Sequence, residues 1–301
     1  MKKIIFALII LTLSLNLYAL TKNEKAFIEA AKNGDIETVR YLINSEVDID
    51  AQDNDGNTAL MWASKNGYFD IVKLLVNEGA YIEIKNNSGC TAIDCSRTTE
   101  ILTFFMKIDP FYTFNNREIL IYQSQYGNKE SVKILLDEGI DINIRNQNGN
   151  TPFMTASFWK NTDIMKLLLE YGANVNDQDN IGKTALMYSV SSIEVTKILL
   201  EAGADVNMQN NYGYTALMYS YSKEITKILL EAGADINMQN NYGYTALMQA
   251  SYYGNTHFDA VEILLQYGAD TTIRNNDGET AMDIAKKQKN YEIIGLLESY
   301  K

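Results

Sequence analysis

Residues 194–218 read EVTKILLEAGADVNMQNNYGYTALM, and residues 224–248 read EITKILLEAGADINMQNNYGYTALM. The two stretches begin 30 residues apart and differ only by two exchanges of valine for isoleucine. A fixed period between about 20 and 50 residues is typical of repeat proteins, in which each unit buries its apolar face against its neighbours. The chain of 301 residues is therefore predicted to be an array of stacked units.

Each copy predicts two helices and a projecting turn. Thr215 suits an N-cap position, because its hydroxyl can accept a hydrogen bond from a free amide of the first helical turn. Ile225, Ile228 and Leu229 recur at spacings of three and four residues, which places them on one face of a second helix. Gly233 follows as a C-cap glycine, and the polar residues after it are typical of a turn.

This pattern resembles the ankyrin repeat. The residues that match the family's G-x-T-P-L-H…V-x-x-L-L-x-x-G-A-D-x-N pattern are Gly213, Thr215, Leu217, Ile228, Leu229, Gly233, Ala234, Asp235 and Asn237. Further copies begin at Gly56, Gly149, Gly182 and Gly278, and the matches cover nearly all of residues 22–301. The resemblance implies an all-α fold, an ankyrin-repeat solenoid of stacked helix-turn-helix units with projecting hairpin-like turns.

The chain departs from the family pattern at one recurring position. Methionine replaces the family's histidine in five copies, at Met61, Met154, Met187, Met218 and Met248. The hydrogen bonds that this histidine makes in the family are therefore expected to be absent. Methionine sulfur is expected to fill the space instead.

The repeats predict a single domain over residues 20–301, with about nine units counting both caps. The units are 22–52, 53–86, 87–113, 114–146, 147–179, 180–210, 211–240, 241–275 and 276–301. Unit 87–113 is irregular, with Pro110 at the place of a projecting turn. The interval between equivalent glycines falls to 31 residues after Gly182 and to 30 after Gly213. The first helix after Thr215 is therefore predicted to lose most of a turn.

Residues 1–19 have the arrangement of a secretory signal peptide. Lys2 and Lys3 precede an apolar run, and Ala19 supplies a small residue at the cleavage point. The apolar run is short for a membrane helix, which needs about 20 residues. An uncleaved N-terminal anchor is the alternative. We expect cleavage after Ala19 and an exported protein, periplasmic or secreted, with no membrane span after cleavage.

The chain is acidic, with a formal net charge of −12. Removing residues 1–19 takes away Lys2 and Lys3 and no acidic residue, so the net charge becomes −14. A protein this acidic is repelled by the phosphate backbone of nucleic acids. We therefore predict no nucleic-acid partner, and we expect a monomer that binds a protein partner.

Residues able to carry out catalysis are few. His257 is the only histidine, which excludes a metal site built from several histidines, and it is expected to be a solvated loop residue. Cys90 and Cys95 are expected to be structural thiols, with an intermolecular disulfide as the alternative. A calcium loop that starts at Asp53 would need an acid at its twelfth position, which is Ser64. We predict no enzyme activity, no metal and no cofactor.

Aromatic residues are the best candidates for partner binding. The resemblance implies that partners meet the concave face and the projecting turns. The predicted partner-binding residues are Phe158, Trp159, Tyr212, Tyr214, Tyr242, Tyr244, Tyr252 and Tyr253. Such rings dominate interface hot spots, although packing against adjacent repeats is the alternative for each of them. The predicted function is a non-enzymatic protein–protein interaction scaffold; carbohydrate or cell-wall binding through the same rings is the alternative.

The two shortened units lie between two aromatic pairs in the sequence. Phe158 and Trp159 precede these units, and Tyr252 and Tyr253 follow them. Shorter first helices withdraw the surface between the two pairs, by about 1.5 Å for each helical residue lost. We therefore expect a dip with aromatic walls, whose floor is made of residues 190–192 and 220–222.

Overall fold

The computed structural model describes residues 20–109, 119–126 and 128–300. Within these ranges the chain forms 17 α-helices and one 3₁₀ segment and contains no strand. The predicted all-α fold is therefore confirmed. The predicted signal peptide at residues 1–19 and the irregular position Pro110 lie outside the described residues.

The chain divides into two compact units, Met1–Gln123 and Ser124–Lys301. The helices of the first unit are α1 (Lys22–Asn33), α2 (Ile36–Ile43), α3 (Ala59–Asn66), α4 (Phe69–Asn77) and α5 (Thr99–Ile108). Helix α6 (Ile119–Tyr126) contains the boundary. The helices of the second unit are α7 (Lys129–Asp137), α8 (Pro152–Phe158), α9 (Thr162–Glu170), α10 (Ala185–Ser189), α11 (Ile193–Glu201), α12 (Ala216–Tyr219), α13 (Lys223–Glu231), α14 (Ala246–Tyr253), α15 (Phe258–Gln266), α16 (Ala281–Gln288) and α17 (Tyr291–Ser299). That these units form one domain stays a prediction.

The second unit is built from two layers of helices. The first helices of successive repeats, α8, α10, α12, α14 and α16, pack against one another in that order. The second helices, α7, α9, α11, α13, α15 and α17, form the other layer in the same way. Leu199 and Leu229 from the second layer and Leu217 and Leu247 from the first are buried in the core.

The methionines that replace the family histidine are buried, as the sequence predicted. Met61, Met154, Met187, Met218 and Met248 are each at most 6% exposed. Each lies in the first turn of the first helix of its repeat, at the third helical residue. Thioether side chains therefore fill space inside the helix layers.

Threonine caps most of the first helices through its hydroxyl. The hydroxyls of Thr184 and Thr245 accept hydrogen bonds from the amides three residues later, at 3.4 and 3.3 Å. Thr215 also precedes a helix, but its buried hydroxyl has no hydrogen-bond partner among the described residues. The Met218 amide donates to the Thr215 carbonyl oxygen at 3.2 Å instead. The predicted side-chain cap at Thr215 is therefore wrong, because helix α12 is a single turn closed by backbone bonds.

The projecting turns are closed by an asparagine or an aspartate together with a glycine. The Asn210 carbonyl oxygen Oδ1 accepts hydrogen bonds from the amides of Tyr212 and Tyr214 at 2.9 and 3.0 Å. Gly213 has a φ of 79°, and a Cβ there would lie 2.6 Å from the Asn241 backbone nitrogen. Only glycine fits this position without a shift of the next turn.

Neighbouring turns are joined by a repeated set of side-chain hydrogen bonds. Gln209 Nε2 donates to the Gly213 carbonyl oxygen at 2.6 Å within its own turn. It also donates to the Gln239 carbonyl oxygen of the next turn at 3.0 Å. The same pair of bonds recurs in two other turns, where Gln178 donates to the Gly182 and Gln209 carbonyl oxygens and Gln239 donates to those of Gly243 and Arg274. The turns are therefore held in a fixed register.

The shortening predicted for the first helices is confirmed. Helix α12 has 4 residues and helix α10 has 5, whereas helix α14 has 8. The residues that follow α12 turn inward. Ser220 is buried, and its hydroxyl lies 2.8 Å from the hydroxyl of Thr226.

In the irregular unit, the first helix is reduced to a turn at residues 92–95, and Thr98 caps α5 with its hydroxyl. Cys90 precedes this turn and Cys95 ends it; both are buried and neither forms a disulfide within the chain, as expected for structural thiols. Burial raises the pKa of the Cys95 thiol to about 12, so the thiol is neutral. Neither cysteine lies in an α-helix.

Candidate binding site

A cavity of about 380 Å³ opens between two projecting turns and the end of helix α14. The residues that line it are Tyr214, Tyr242, Tyr244, Gln249, Tyr252, Tyr253 and Asp277. Five of the seven are tyrosines, so the walls combine ring faces with phenol hydroxyls. Its volume lies within the range typical of small-ligand pockets, about 300–1,000 Å³.

The tyrosines at this cavity are accessible to a partner. Tyr242 is 54% exposed, and Tyr252 and Tyr253 are 46% and 54% exposed. The rings of Tyr252 and Tyr253 meet edge to face, with centroids 5.3 Å apart. Such contacts hold aromatic side chains in defined orientations, which lowers the entropy that binding has to remove.

A row of aromatic rings leads from the cavity toward the preceding repeats. Tyr214 at the cavity stacks on Tyr219 with ring centroids 5.4 Å apart. The Lys183 ammonium lies 4.7 Å from the Tyr219 ring centroid and 5.0 Å from that of Tyr188. Phe158 meets Tyr188 edge to face at 5.9 Å. Lysine and rings together thus form one continuous row.

Hydrogen bonds fix the rings in the middle of this row. The Tyr188 hydroxyl donates to the Asp179 carboxylate at 2.6 Å. The Asn210 amide Nδ2 donates to the Tyr219 hydroxyl at 2.9 Å. Burial is the main factor that raises the pKa of Tyr188, Tyr214 and Tyr219 above the usual value for tyrosine. These phenols are therefore neutral hydrogen-bonding groups throughout the ordinary pH range.

Comparison with protein families identifies the chain. Models of ankyrin repeats in three copies match residues 3–88, 90–179 and 176–240, and a model of ankyrin repeats in many copies matches residues 229–285. The chain belongs to the ankyrin-repeat family. Ankyrin repeats are generally protein–protein interaction modules, and proteins made of them are generally non-enzymatic scaffolds. A search among curated proteins found no match.

The ankyrin repeats bring together five of the eight residues predicted for partner binding. Tyr214, Tyr242, Tyr244, Tyr252 and Tyr253 all line the cavity. Phe158, Trp159 and Tyr212 are exposed but are not part of its lining. Phe158 and Trp159 meet edge to face at 5.6 Å at the end of helix α8, farther along the aromatic row. That any of the eight contacts a partner stays a prediction.

The floor predicted for the dip stays a prediction. Residues 190–192 and 220–222 are not part of the cavity lining. Val190 and Ser220 are buried, and Ser220 is held by Thr226 inside the packing of the repeat. Ser191 and Tyr221 are exposed, so each shortened segment is buried only in part. Gln249, which belongs to the longer helix α14, lines the cavity.

Sequence reasoning overlooked Tyr188, Tyr219 and Gln249, although a signal for them was present. Each follows the Thr-Ala-Leu-Met segment that starts the first helix of its repeat, and Trp62 occupies the same place in the first unit. Trp62 donates its indole hydrogen to the Asp53 carboxylate at 2.7 Å, as Tyr188 donates to Asp179. One repeat position thus supplies a ring with a polar anchor, and glutamine breaks the series at Gln249.

His257 is not the solvated loop residue that the sequence predicted. It ends the 3₁₀ segment Gly254–His257 and is half-buried. Its ring stacks on Tyr253 with centroids 5.0 Å apart and lies 5.6 Å from the Tyr221 ring. Burial lowers the pKa of His257, which favours the neutral imidazole. His257 therefore supports the wall of the cavity at Tyr253.

In the described ranges there is no group of three or more His, Cys, Asp or Glu side chains that could hold a metal ion. No helix in the described part of the chain is long and apolar enough to cross a membrane. The chemistry available at the cavity is therefore ring stacking, hydrogen bonding through hydroxyls and amides, and the charge of Asp277.

Proposed function

We propose that this ankyrin-repeat protein binds another protein, without catalysis, through the tyrosine-lined cavity and the projecting turns around it. The observation that carries the proposal is the convergence of Tyr214, Tyr242, Tyr244, Tyr252 and Tyr253 on one cavity. Aromatic residues in a pocket are the usual anchors of interface energy, because a partner side chain can be desolvated against them.

The scaffold beneath the cavity supports this function. The turns that carry Tyr242 and Tyr244 are closed by Asn240, whose Oδ1 accepts both tyrosine amides at 2.9 Å. Gln239 ties this turn to the next through the Arg274 carbonyl oxygen at 3.0 Å. A rigid turn loses little entropy on binding, so more of the contact energy remains as affinity.

The experiment compares partner capture by residues 20–301 and by the double variant Tyr242→Ala with Tyr252→Ala. We expect the affinity for the captured protein to fall by at least about 30-fold, which is about 2 kcal/mol, because two anchor rings are lost. Tyr291→Ala is the matched control, since this ring is 76% exposed and lies away from the cavity lining. A double variant that folds and keeps its affinity would overturn the proposal.

Carbohydrate binding is the alternative function of the same site. Exposed tyrosine rings beside Gln249 and Asp277 also suit a sugar, whose apolar face stacks and whose hydroxyls need hydrogen-bond partners. A glycan array probed with residues 20–301 separates the two functions. Glycan binding that is lost in the Tyr242→Ala, Tyr252→Ala variant would favour the sugar.

We also propose that the protein is exported. The support is the charged start at Lys2 and Lys3, the apolar run and the small residue Ala19. N-terminal sequencing of the protein from its cell of origin is expected to begin at Leu20. An intact Met1 would contradict export by cleavage after Ala19.

A further inference from the structure

We propose that the cavity takes up a positively charged side chain, a lysine, from a basic segment of the protein partner. The inference rests on the proposed function, since it names the chemistry of the partner at the same site. Three observations carry it: the positions of the protein's own lysines, the composition of the cavity lining, and the charge at its rim.

The protein's own lysines show how this repeat geometry accommodates an ammonium group. Lys183 lies over two tyrosine rings, with its ammonium 5.0 Å from the Tyr188 centroid and 4.7 Å from the Tyr219 centroid. In the first unit, the ammonium groups of Lys32 and Lys65 lie 4.5 and 4.9 Å from the Trp62 centroid. An ammonium within about 6 Å of an aromatic centroid is attracted by the negative face of the ring.

The repeat that contains the cavity supplies no such lysine. Lys183 follows Gly182, whereas the residues that follow the equivalent glycines are Tyr214 and Tyr244. No lysine or arginine is among the residues that line the cavity. Tyrosine rings take the positions equivalent to Lys183, and the rings that line the cavity are therefore accessible to a cation from outside.

The rim of the cavity carries a negative charge. Asp277 lines the cavity, and its carboxylate forms no ion pair within the described ranges. The nearby Lys287 is paired with Glu279 at 2.8 Å. The whole chain has a formal net charge of −12, which attracts a basic segment and repels an acidic one. Rings and carboxylate together suit an ammonium group.

The experiment uses a peptide pair that differs only in charge. The first probe is acetyl-Gly-Lys-Gly-Lys-Gly-amide, and the second is the same peptide with both ε-amines acetylated. Binding to residues 20–301 is followed by calorimetry and by NMR shifts of the tyrosine rings. We expect the charged peptide to bind about tenfold more tightly, because acetylation removes the cation–π attraction and the pairing with Asp277.

Two variants with the same change in net charge localise the effect. Asp277→Asn is expected to weaken binding of the charged peptide about threefold to fivefold. Asp163→Asn is the matched control, since Asp163 is exposed in the first turn of helix α9 and does not line the cavity. Circular dichroism checks that both variants fold.

The outcomes separate this inference from the proposed function. Equal binding of the two peptides, or no binding of either, overturns the lysine inference. An equal loss in Asp277→Asn and Asp163→Asn also overturns it, because the attraction is then a property of the whole acidic surface. In each of these cases, the proposed function is judged by the Tyr242→Ala, Tyr252→Ala variant and its captured partner alone.

Discussion

Helices α12 and α14 begin within identical stretches of sequence. Residues 207–218 and 237–248 both read NMQNNYGYTALM. The next residue is Tyr219 in one repeat and Gln249 in the other. Tyr219 stacks on Tyr214 and accepts a hydrogen bond from Asn210 Nδ2 at 2.9 Å. Gln249 lines the cavity, and Nδ2 of the equivalent Asn240 has no hydrogen-bond partner among the described residues.

The residue after the common segment differs in its contacts, since Tyr219 packs on a ring and Gln249 lines the cavity. The backbone that precedes both residues closes with the same hydrogen bonds, from Asn210 in one turn and Asn240 in the other. Asn240 is 5% exposed; its Nδ2 forms no close hydrogen bond, although its side chain lies near the Tyr214 hydroxyl and opposes the rise in the pKa of that phenol, so its desolvation is compensated only in part. The cavity therefore comes with a local loss of stability, as is common at binding sites.

The largest expected effect is the loss of the turn itself. Gly243→Ala should lower the free energy of unfolding by about 2–4 kcal/mol, because the backbone is strained and the new Cβ clashes. The φ of Gly243 is 77°, and a Cβ there would lie 2.7 Å from the Asn276 backbone nitrogen. Gly233→Ala is the matched control, since its φ is 89° but the space around it is open. Urea denaturation should show a smaller loss for the control, about 1 kcal/mol; equal losses would contradict the clash.

The second-largest effect is expected when the repeat of Tyr219 is given the glutamine that the repeat of the cavity has at position 249. Tyr219→Gln should lower the free energy of unfolding by about 2 kcal/mol, because the stack on Tyr214 and the acceptor for Asn210 are both lost. Tyr212→Gln is the control, since Tyr212 is exposed and its ring makes no contact with Tyr219 in the aromatic row. Thermal unfolding measures both. A Tyr219→Gln variant as stable as the control would refute the assigned role of the ring.

The reverse change should stabilise the protein and close the site. Gln249→Tyr supplies an acceptor for Asn240 Nδ2 and a ring to stack on Tyr244, so the free energy of unfolding should rise by about 1 kcal/mol. The same ring occupies cavity space, and binding of the lysine peptide should fall. Thermal unfolding and calorimetry on one sample test both effects. Unchanged stability together with unchanged binding would show that residue 249 does not control the cavity.

The smallest effect concerns pH. Burial lowers the pKa of His257 below its usual value of 6.5, so the unfolded chain binds the proton more readily. The stability that depends on neutral His257 is complete above pH 6.5 and is lost as pH falls through the lower folded-state pKa. Because the ring is only half-buried, the effect should be less than about 1 kcal/mol. His257→Asn should be less sensitive than the parent between about pH 5 and 7 in urea denaturation; an identical pH dependence would contradict the assignment.

The elements that follow from local chemistry were predictable from the sequence. Thr184 and Thr245 cap helices, and Gly213 and Gly243 adopt positive φ, because short-range sterics and hydrogen bonding dictate both. The short helix α12 followed from the glycine spacing alone. The meeting of Tyr214 with Tyr242 and Tyr252 at one cavity was predictable in outline, because equivalent positions in adjacent repeats are neighbours in space.

Two contacts could not be predicted from the sequence, because they depend on where side chains point once the helices have packed. Nothing in the order of residues shows that Lys183 lies between Tyr188 and Tyr219, since the pairing arises only when two repeats stack. The inward turn of Ser220 depends on the buried hydroxyl of Thr226, which sequence hydropathy treats as a surface group. Both contacts depend on how helices and repeats pack in space, which the sequence alone does not state.

The hydrogen bonds between neighbouring turns bear on how such a chain grows. The side chain of Gln209 donates a hydrogen bond to the Gln239 carbonyl oxygen of the next repeat. The side chain of Gln178 in the preceding repeat donates the equivalent bond to the carbonyl oxygen of Gln209. A repeat therefore carries the donor and the acceptor for a copy of itself at opposite edges. Duplicating 30 residues in the gene adds a layer without creating a new interface, which accounts for two neighbouring copies that differ only in two Val/Ile exchanges. The length of the array is therefore open to change by recombination, one layer at a time.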